Sequence, residues 1–254
     1  MRALKHRDRS IDPLPETSAI PETRTRPVMS VVATFLFGSV ARSDHVEGSD
    51  TDLLMVNLGD ETRHVSVGHA SLFLYPWLRL KLDAKEGDLF ACHLVYEAKA
   101  IIDPLGYLPK LKKSFRFKSD YQSEIARATE LGWFLARFGE GLNSALQAKR
   151  ILWCVRTILI ARSAELRDPI FAPQLLAARA KSEAARELLS KRHDQRDDAA
   201  LRHSLRMFLI EETKAEPFHK QASRTAFARR FRETSNKVAL QTLLQEQNSQ
   251  TGYD

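Results

Sequence analysis

Cysteine is nearly absent from this chain of 254 residues: Cys92 and Cys154 are the only two, and they lie far apart in sequence. Two lone thiols make neither a disulfide framework nor a zinc site, and a chain of this length buries enough surface to fold without either. A reducing, cytoplasmic setting is the simplest expectation. Glycine and proline are also scarce, at 10 each, which excludes collagen-like and low-complexity classes. No run of about 18 uncharged apolar residues exists, so neither a membrane span nor a membrane partner is expected. Arg2, Lys5, Arg7 and Arg9 have no apolar run behind them, so the N-terminus does not read as a secretory signal. Acidic residues are outnumbered, 32 against 39 Lys and Arg, for a formal charge of +7. That surplus suits phosphate-bearing partners, either nucleotide or nucleic acid, or an acidic protein.

What is present is a 43% hydrophobic chain of one large domain or two small ones. Residues 1–26 hold Pro13, Pro15 and Pro21 without apolar periodicity and read as an extended or disordered arm. The β-branched and aromatic run Val31 to Phe37, closed by Gly38-Ser39, predicts a buried strand and a turn. Leu53 to Val56 predicts a second strand, His64 to Val67 a short third, and Ala100 to Ile102 a last one before Asp103-Pro104. Helices are expected over Leu72–Leu82 and Asp88–Ala98. From about Ser119 proline thins out and helix formers dominate. The apolar stripes predict helices over about 120–139, 142–165, 174–191, 198–213 and 223–245. The fold class is therefore α+β: a small mixed sheet with helices over residues 27–110, an all-helical bundle over 111–247, and a polar tail over 248–254.

One stretch carries chemistry. Gly38-Ser39-Val40-Ala41-Arg42 is followed by the run Ser49-Asp50-Thr51-Asp52-Leu53, with ten residues between Ser39 and Asp50. A Gly-Ser turn after a strand lets backbone N–H groups approach a polyphosphate, because glycine has no Cβ in the way. A helix opening at Ser39 would turn its positive end to the same phosphates, and the Ser39 hydroxyl adds a donor. Asp50 and Asp52 stand two apart at the start of a strand, on one face. Two adjacent carboxylates repel unless a cation lies between them, and a hard cation that also takes phosphate ligands is Mg²⁺.

This joint pattern resembles the signature of the DNA polymerase β-like nucleotidyltransferases, most closely the minimal nucleotidyltransferases. The flanking Leu36-Phe37 and Leu54-Met55-Val56 fit it as well. The resemblance implies a nucleotidyltransferase domain over 27–110, with Asp50 and Asp52 catalytic and binding Mg²⁺ or Mn²⁺. It implies a nucleoside triphosphate, ATP by expectation, held by Gly38, Ser39, Arg42 and Ser49. The reaction implied is transfer of a nucleoside monophosphate to an acceptor hydroxyl. Acceptors in similar proteins include a partner protein and RNA, which points to a toxin–antitoxin or phage-defence role. More weakly, the segment from Glu86 to Pro104 resembles the end of the same domain, and the bundle around Arg150–Ile160 resembles helical, HEPN-like or substrate-binding domains.

Two positions depart from the family pattern. Ser43 stands where glycine is usual. The third carboxylate of active members, expected near Ser66 in the strand His64–Val67, is missing. The alternative reading is therefore a weak or inactive subunit that binds nucleotide or nucleic acid and docks a partner protein.

Other residues have ordinary readings beside functional ones. Arg42 is either a solvated helix residue or a phosphate-side arginine. Lys110, Lys112, Lys113 and Arg116 form either a solvated linker or a basic strip. Arg156, inside an apolar helix, is either paired with a glutamate or directed at a nucleotide or partner. His93, beside Leu89, Phe90 and Leu94, reads as a packed histidine. Trp77, Trp133 and Trp153 read as core or interface residues. The pairs Arg186–His193 and Arg196–His203 have ribonuclease-like spacing, but a chain rich in Arg produces such pairs by chance.

Overall fold

The structure is a computed structural model that describes residues 30–190, 198–213 and 222–250. The arm expected over 1–26 lies outside the described residues, as do His193, Arg196 and residues 251–254.

The first half is built on five strands. These are β1 (Val31–Phe37), β2 (Thr51–Asn57), β3 (Arg63–Val67), β4 (Ala70–Pro76) and β5 (Lys99–Ile102), in the order β3-β4-β2-β1-β5. The sheet is mixed: β2 and β4 are parallel, and the other three pairs are antiparallel. Alternation decides which side is covered. Ala33, Phe35 and Phe37 of β1 and Leu54 and Val56 of β2 point to one face and are buried. Four helices join this half: α1 (Gly38–Arg42), α2 (Trp77–Lys85), α3 (Leu89–Glu97) and α4 (Tyr107–Ser114). Leu80, Ala84, Ala91, Leu94, Leu108 and Leu111 of α2, α3 and α4 close the core over that face.

The strands agree with the sequence pattern, but one helix does not. The stretch expected to be a helix over Leu72–Leu82 is β4 up to Pro76, and only then α2. Two local features decide this. Gly68 takes φ +57 in a two-residue loop, which folds β3 back on β4 with Val67 opposite Ala70. Pro76 has no N–H to continue an α-helix begun upstream and caps α2 instead. The basic run near Lys110 is not a linker: it is α4, whose Tyr107, Leu108 and Leu111 are buried while its lysines face solvent.

The second half is helical: α5 (Gln122–Phe138), α6 (Ser144–Glu165), α7 (Pro173–Arg179), α8 (Glu183–Ser190), α9 (Asp198–Thr213), α10 (Arg224–Glu233) and α11 (Lys237–Gln250). Two helices expected to be single are broken. Between α7 and α8, the Ser182 hydroxyl accepts from Ala185 N at 3.2 Å and restarts the helix. Between α10 and α11, Ser235 adopts φ +49, and Asn236 accepts from Ala239 N while donating to the Arg127 carbonyl at 2.8 Å. A large core from Ala128 to Ala239 holds the bundle, with Trp133 inside it and Trp153 packed against it. The two thiols sit one in each half, both buried. Burial pushes the Cys92 thiol up to about 12, well outside the reactive range.

The bundle also depends on one buried carboxylate. Glu212 of α9 accepts from the Arg162 guanidinium of α6 and from Ser182 N at 3.1 Å, so it joins three helices. Glu212→Ala leaves the Ser182 N–H without its acceptor and the Arg162 guanidinium with only the residue-212 backbone carbonyl. The expected cost is about 2–3 kcal/mol, read as a fall in Tm of about 5–10 °C in thermal unfolding. Glu212→Gln should lose less, because its amide oxygen still accepts.

The two halves meet through α3 and α6. Phe171, just after α6, is buried in the core of the sheet half, and Ile160 of α6 packs against both cores.

Candidate active site

The site is assembled at the end of the sheet where β1 stops and β2 starts. Phe37, Asp52, Ser71 and Ser66 form one row across β1, β2, β4 and β3. Gly38 follows Phe37 at φ +76, a conformation that costs other residues free energy. The turn it makes faces Asp52: a Cβ on Gly38 would lie 2.3 Å from Asp52 Oδ2. Glycine is thus required there twice over, by backbone conformation and by close approach. Ser39 and Arg42 follow on α1, and Ser43 ends it at φ +66. That left-handed position explains why glycine suits it.

The two aspartates differ in setting. Asp52 is half-buried on β2. Asp50 is exposed and precedes the strand, which begins where Thr51 N donates to the His69 carbonyl at 2.7 Å. His69 Nδ1 stands 3.9 Å from Asp50 Oδ1. Burial pushes the Asp52 carboxyl above its ordinary value. His93, Arg156 and Arg42 oppose that rise, and the Asp50 charge adds to it. Ser49 closes the preceding loop: its Oγ accepts from Val46 N at 3.0 Å.

The structure also brings in residues that the motif did not indicate. Glu97 of α3 accepts from Arg42 Nη1 at 2.5 Å and pairs with His93 Nε2 at 2.7 Å. Arg42 Nε reaches Asp44 Oδ1 at 3.1 Å. Arg42 is thus held by two carboxylates and is not a solvated helix residue. His93 stacks on Phe171, with centroids 4.5 Å apart, and meets Phe37 edge-on at 5.5 Å. It is packed, as expected, but beside the site. The i,i+4 spacing of His93 and Glu97 on a helix was the available signal for this pair.

The position beside Asp52, where a third carboxylate would stand, is not Ser66. The strand beside Asp52 is β4, not β3, and the residue in register is Ser71. Ser66 lies one strand further out. The other nearby acids are engaged elsewhere. Asp83 accepts from the Tyr75 hydroxyl at 2.6 Å, and Asp88 caps α3 through Phe90 N and Ala91 N. Asp60 and Glu61 sit exposed past the far end of β2. Among the described residues, no group of three or more His, Cys, Asp and Glu side chains is placed to hold a metal ion. The donor set is two carboxylates beside a glycine turn. That suits a hard divalent cation that takes its remaining ligands from water and a polyphosphate, and not one caged by protein alone.

A cavity of about 600 Å³ lies elsewhere, between α6, α7 and α9, lined by Leu159, Arg162, Ile170, Leu176 and Glu212 among others. It adjoins Thr213, next to residues outside the described set, and holds none of the motif residues. Among the described residues, no helix is long and apolar enough to cross a membrane.

No protein-family model matches the sequence, and no curated protein matches it. Among solved structures, the chain is similar to a nucleotidyltransferase-like protein from Exiguobacterium sibiricum 255-15. Identity is 16%, coverage is 74% of this chain and 69% of the other, and the TM-score is 0.30.

Proposed function

We propose that this protein binds a nucleoside triphosphate at the Gly38–Asp52 site and transfers its nucleoside monophosphate to an acceptor hydroxyl. The observation that carries the reading is the close approach of the Gly38 turn to the Asp52 carboxylate. A turn without a Cβ and a half-buried carboxylate meet at the open end of a sheet, which is what a phosphate donor and its metal need. Asp50 and Asp52 would hold Mg²⁺ or Mn²⁺, which neutralises charge on the phosphates and steadies the leaving group. Gly38 and Ser39 present N–H and hydroxyl donors to the triphosphate. Ser49 shapes the loop that delivers Asp50. Arg42, fixed by Glu97 and Asp44, holds the turn in place. In the reaction the acceptor oxygen forms a bond to the α-phosphorus, the bond to pyrophosphate breaks, and the acceptor proton passes to solvent. The basic surplus favours a protein or RNA acceptor in the cytoplasm, in the setting of a toxin–antitoxin or phage-defence pair.

A second reading has its own observation. Ser71, not a carboxylate, stands in register with Asp52. A site of two carboxylates supports binding better than fast transfer, which favours a subunit that binds nucleotide and docks a partner.

One experiment separates them. Purified protein is incubated with each radiolabelled triphosphate, Mg²⁺ or Mn²⁺, and total RNA or lysate protein, beside the Asp50→Ala/Asp52→Ala double variant. Label transferred by the wild type and lost in the variant is expected, and the labelled species names the acceptor class. Triphosphate binding without transfer would select the second reading. Neither binding nor transfer would end both.

A further inference from the structure

The Gly38–Arg42 turn does not hold itself. α1 is five residues long, far below the length at which a helix is stable alone, and no side chain caps its start. Left-handed residues stand at both of its ends, Gly38 at φ +76 and Ser43 at φ +66. The second of these costs a residue with a Cβ about 1 kcal/mol or more. A segment built this way keeps its shape through contacts with the rest of the chain.

Two residues of α3, four apart and on one face, supply such contacts. At the end of the turn, Arg42 Nη1 donates to Glu97 Oε2 at 2.5 Å. The same oxygen lies 2.7 Å from His93 Nε2, and a carboxylate only accepts, so the imidazole donates to it. At the start of the turn, the His93 ring lies nearly perpendicular to that of Phe37, the residue before Gly38, with centroids 5.5 Å apart. The ring is held from its other neighbour as well: Phe171, carried by the helical half, stacks on it at 4.5 Å. Phe37 and Phe171 are buried, and the side chains of Arg42, His93 and Glu97 are 11–16% exposed. Charge-assisted bonds sheltered to this degree are stronger than those at an open surface. His93 and Glu97 thus grip the turn at both ends.

We infer that Glu97 and His93 are positioning residues of the nucleotide site, a role that rests on the nucleotide reading above. They set the Gly38–Ser39 turn against Asp52 without touching the triphosphate. The spacing they guard is narrow, since a Cβ on Gly38 would already lie 2.3 Å from Asp52 Oδ2. The turn and the carboxylate come from different strands, so their separation depends on what fixes the turn from outside. One oxygen of Glu97 takes both bonds, so a neutral amide in its place can still accept from Arg42 and His93.

The test is calorimetric titration of the full chain with ATP, GTP, CTP and UTP, each with Mg²⁺, below the unfolding temperature of every variant. Wild type is compared with Glu97→Ala, Glu97→Gln, His93→Leu and His93→Gln. Glu212→Ala, which removes a buried carboxylate of the bundle, controls for lost stability. Triphosphate binding is expected to weaken about 10- to 100-fold in Glu97→Ala and about 3- to 10-fold in His93→Leu. Glu97→Gln, which keeps the acceptor, and His93→Gln, which keeps a donor, should each recover most of that loss. Glu212→Ala should lower Tm and leave binding unchanged. His93→Leu suits the apolar contacts with Phe37 and Phe171, so it answers the question even where Glu97→Ala fails to fold. Binding that survives Glu97→Ala and His93→Leu within twofold overturns the positioning role and leaves the nucleotide reading standing. Glu97→Gln as weak as Glu97→Ala also overturns it, since the shared oxygen would then not be what holds the turn. So does a loss in Glu212→Ala equal to that in Glu97→Ala, which marks general loosening. A wild type that binds no triphosphate overturns both readings.

Discussion

Gly38→Ala is expected to abolish nucleotide-dependent chemistry while costing the fold little more than the same change at Gly48. The two glycines share a left-handed backbone, at φ +76 and φ +79. An alanine at either position costs about 1 kcal/mol through that conformation. The surroundings differ. A Cβ on Gly48 meets nothing within 4 Å, whereas one on Gly38 lands 2.3 Å from Asp52 Oδ2. The obstructing atom is the end of a side chain, so the fold can relieve the clash by turning the carboxylate away. That movement spares stability and removes the carboxylate from the proposed phosphate site. Misplacement of a reacting group by about 1 Å costs roughly 100-fold. Thermal unfolding should therefore show similar losses of about 2–4 °C for both variants, with transfer and Mg²⁺-nucleotide binding lost only in Gly38→Ala. Equal activity in the two variants would show that Asp52 is not where the nucleotide sits.

Asp52→Asn is expected to raise stability and remove activity together. Burial, then the Asp50 charge, lift the Asp52 carboxyl above its ordinary 3.8, and the neighbouring cations only partly offset them. A carboxyl whose pKa is raised by folding favours the fold when protonated. Its contribution is fully present below about pH 3.8 and is lost as pH rises through the raised value. Asparagine has no charge to desolvate, so Tm should exceed that of the wild type by about 2 °C at neutral pH, with the gap closing in acid. Transfer should fall at least about 100-fold, because the neutral amide is a poor Mg²⁺ ligand. Asp50→Asn is the comparison: Asp50 is exposed, so its loss should reduce activity and leave stability nearly unchanged. A wild type more stable than Asp52→Asn at pH 7 would mean that the cations around Asp52 outweigh its burial. A variant that keeps both stability and activity would remove Asp52 from the site.

The pairing of gained stability with lost function is the signature of a group held in place for chemistry and not for the fold. Glu212 shows the opposite case. It too is a buried carboxylate, but its oxygens are spent on Arg162 and Ser182, and its removal is expected to cost only stability.

Much of this molecule was legible in the sequence, and the limits of that legibility have physical causes. The strand β1, the Gly-Ser turn, β2 and the helical second half follow from periodicity and turn chemistry, which act within a few residues. The run Leu72 to Tyr75 is apolar and aromatic at every position, so neither the helical nor the alternating period stands out; pairing with β2 on one side and β3 on the other made it a strand. The breaks at Ser182 and Asn236 depended on cap bonds too local to interrupt an apolar stripe.

The site divides the same way. The sequence by itself determined Gly38, Ser39, Asp50 and Asp52 as one constellation, because a Gly-Ser turn and a carboxylate pair are defined by short spacings along one chain. Only the tertiary structure decided what surrounds Asp52. Ser71 comes from the parallel strand, Glu97 and His93 from α3, and Arg156 from α6, more than a hundred residues away. Strand order and helix docking set these neighbours, and both are settled by which apolar faces bury against one another across the whole chain.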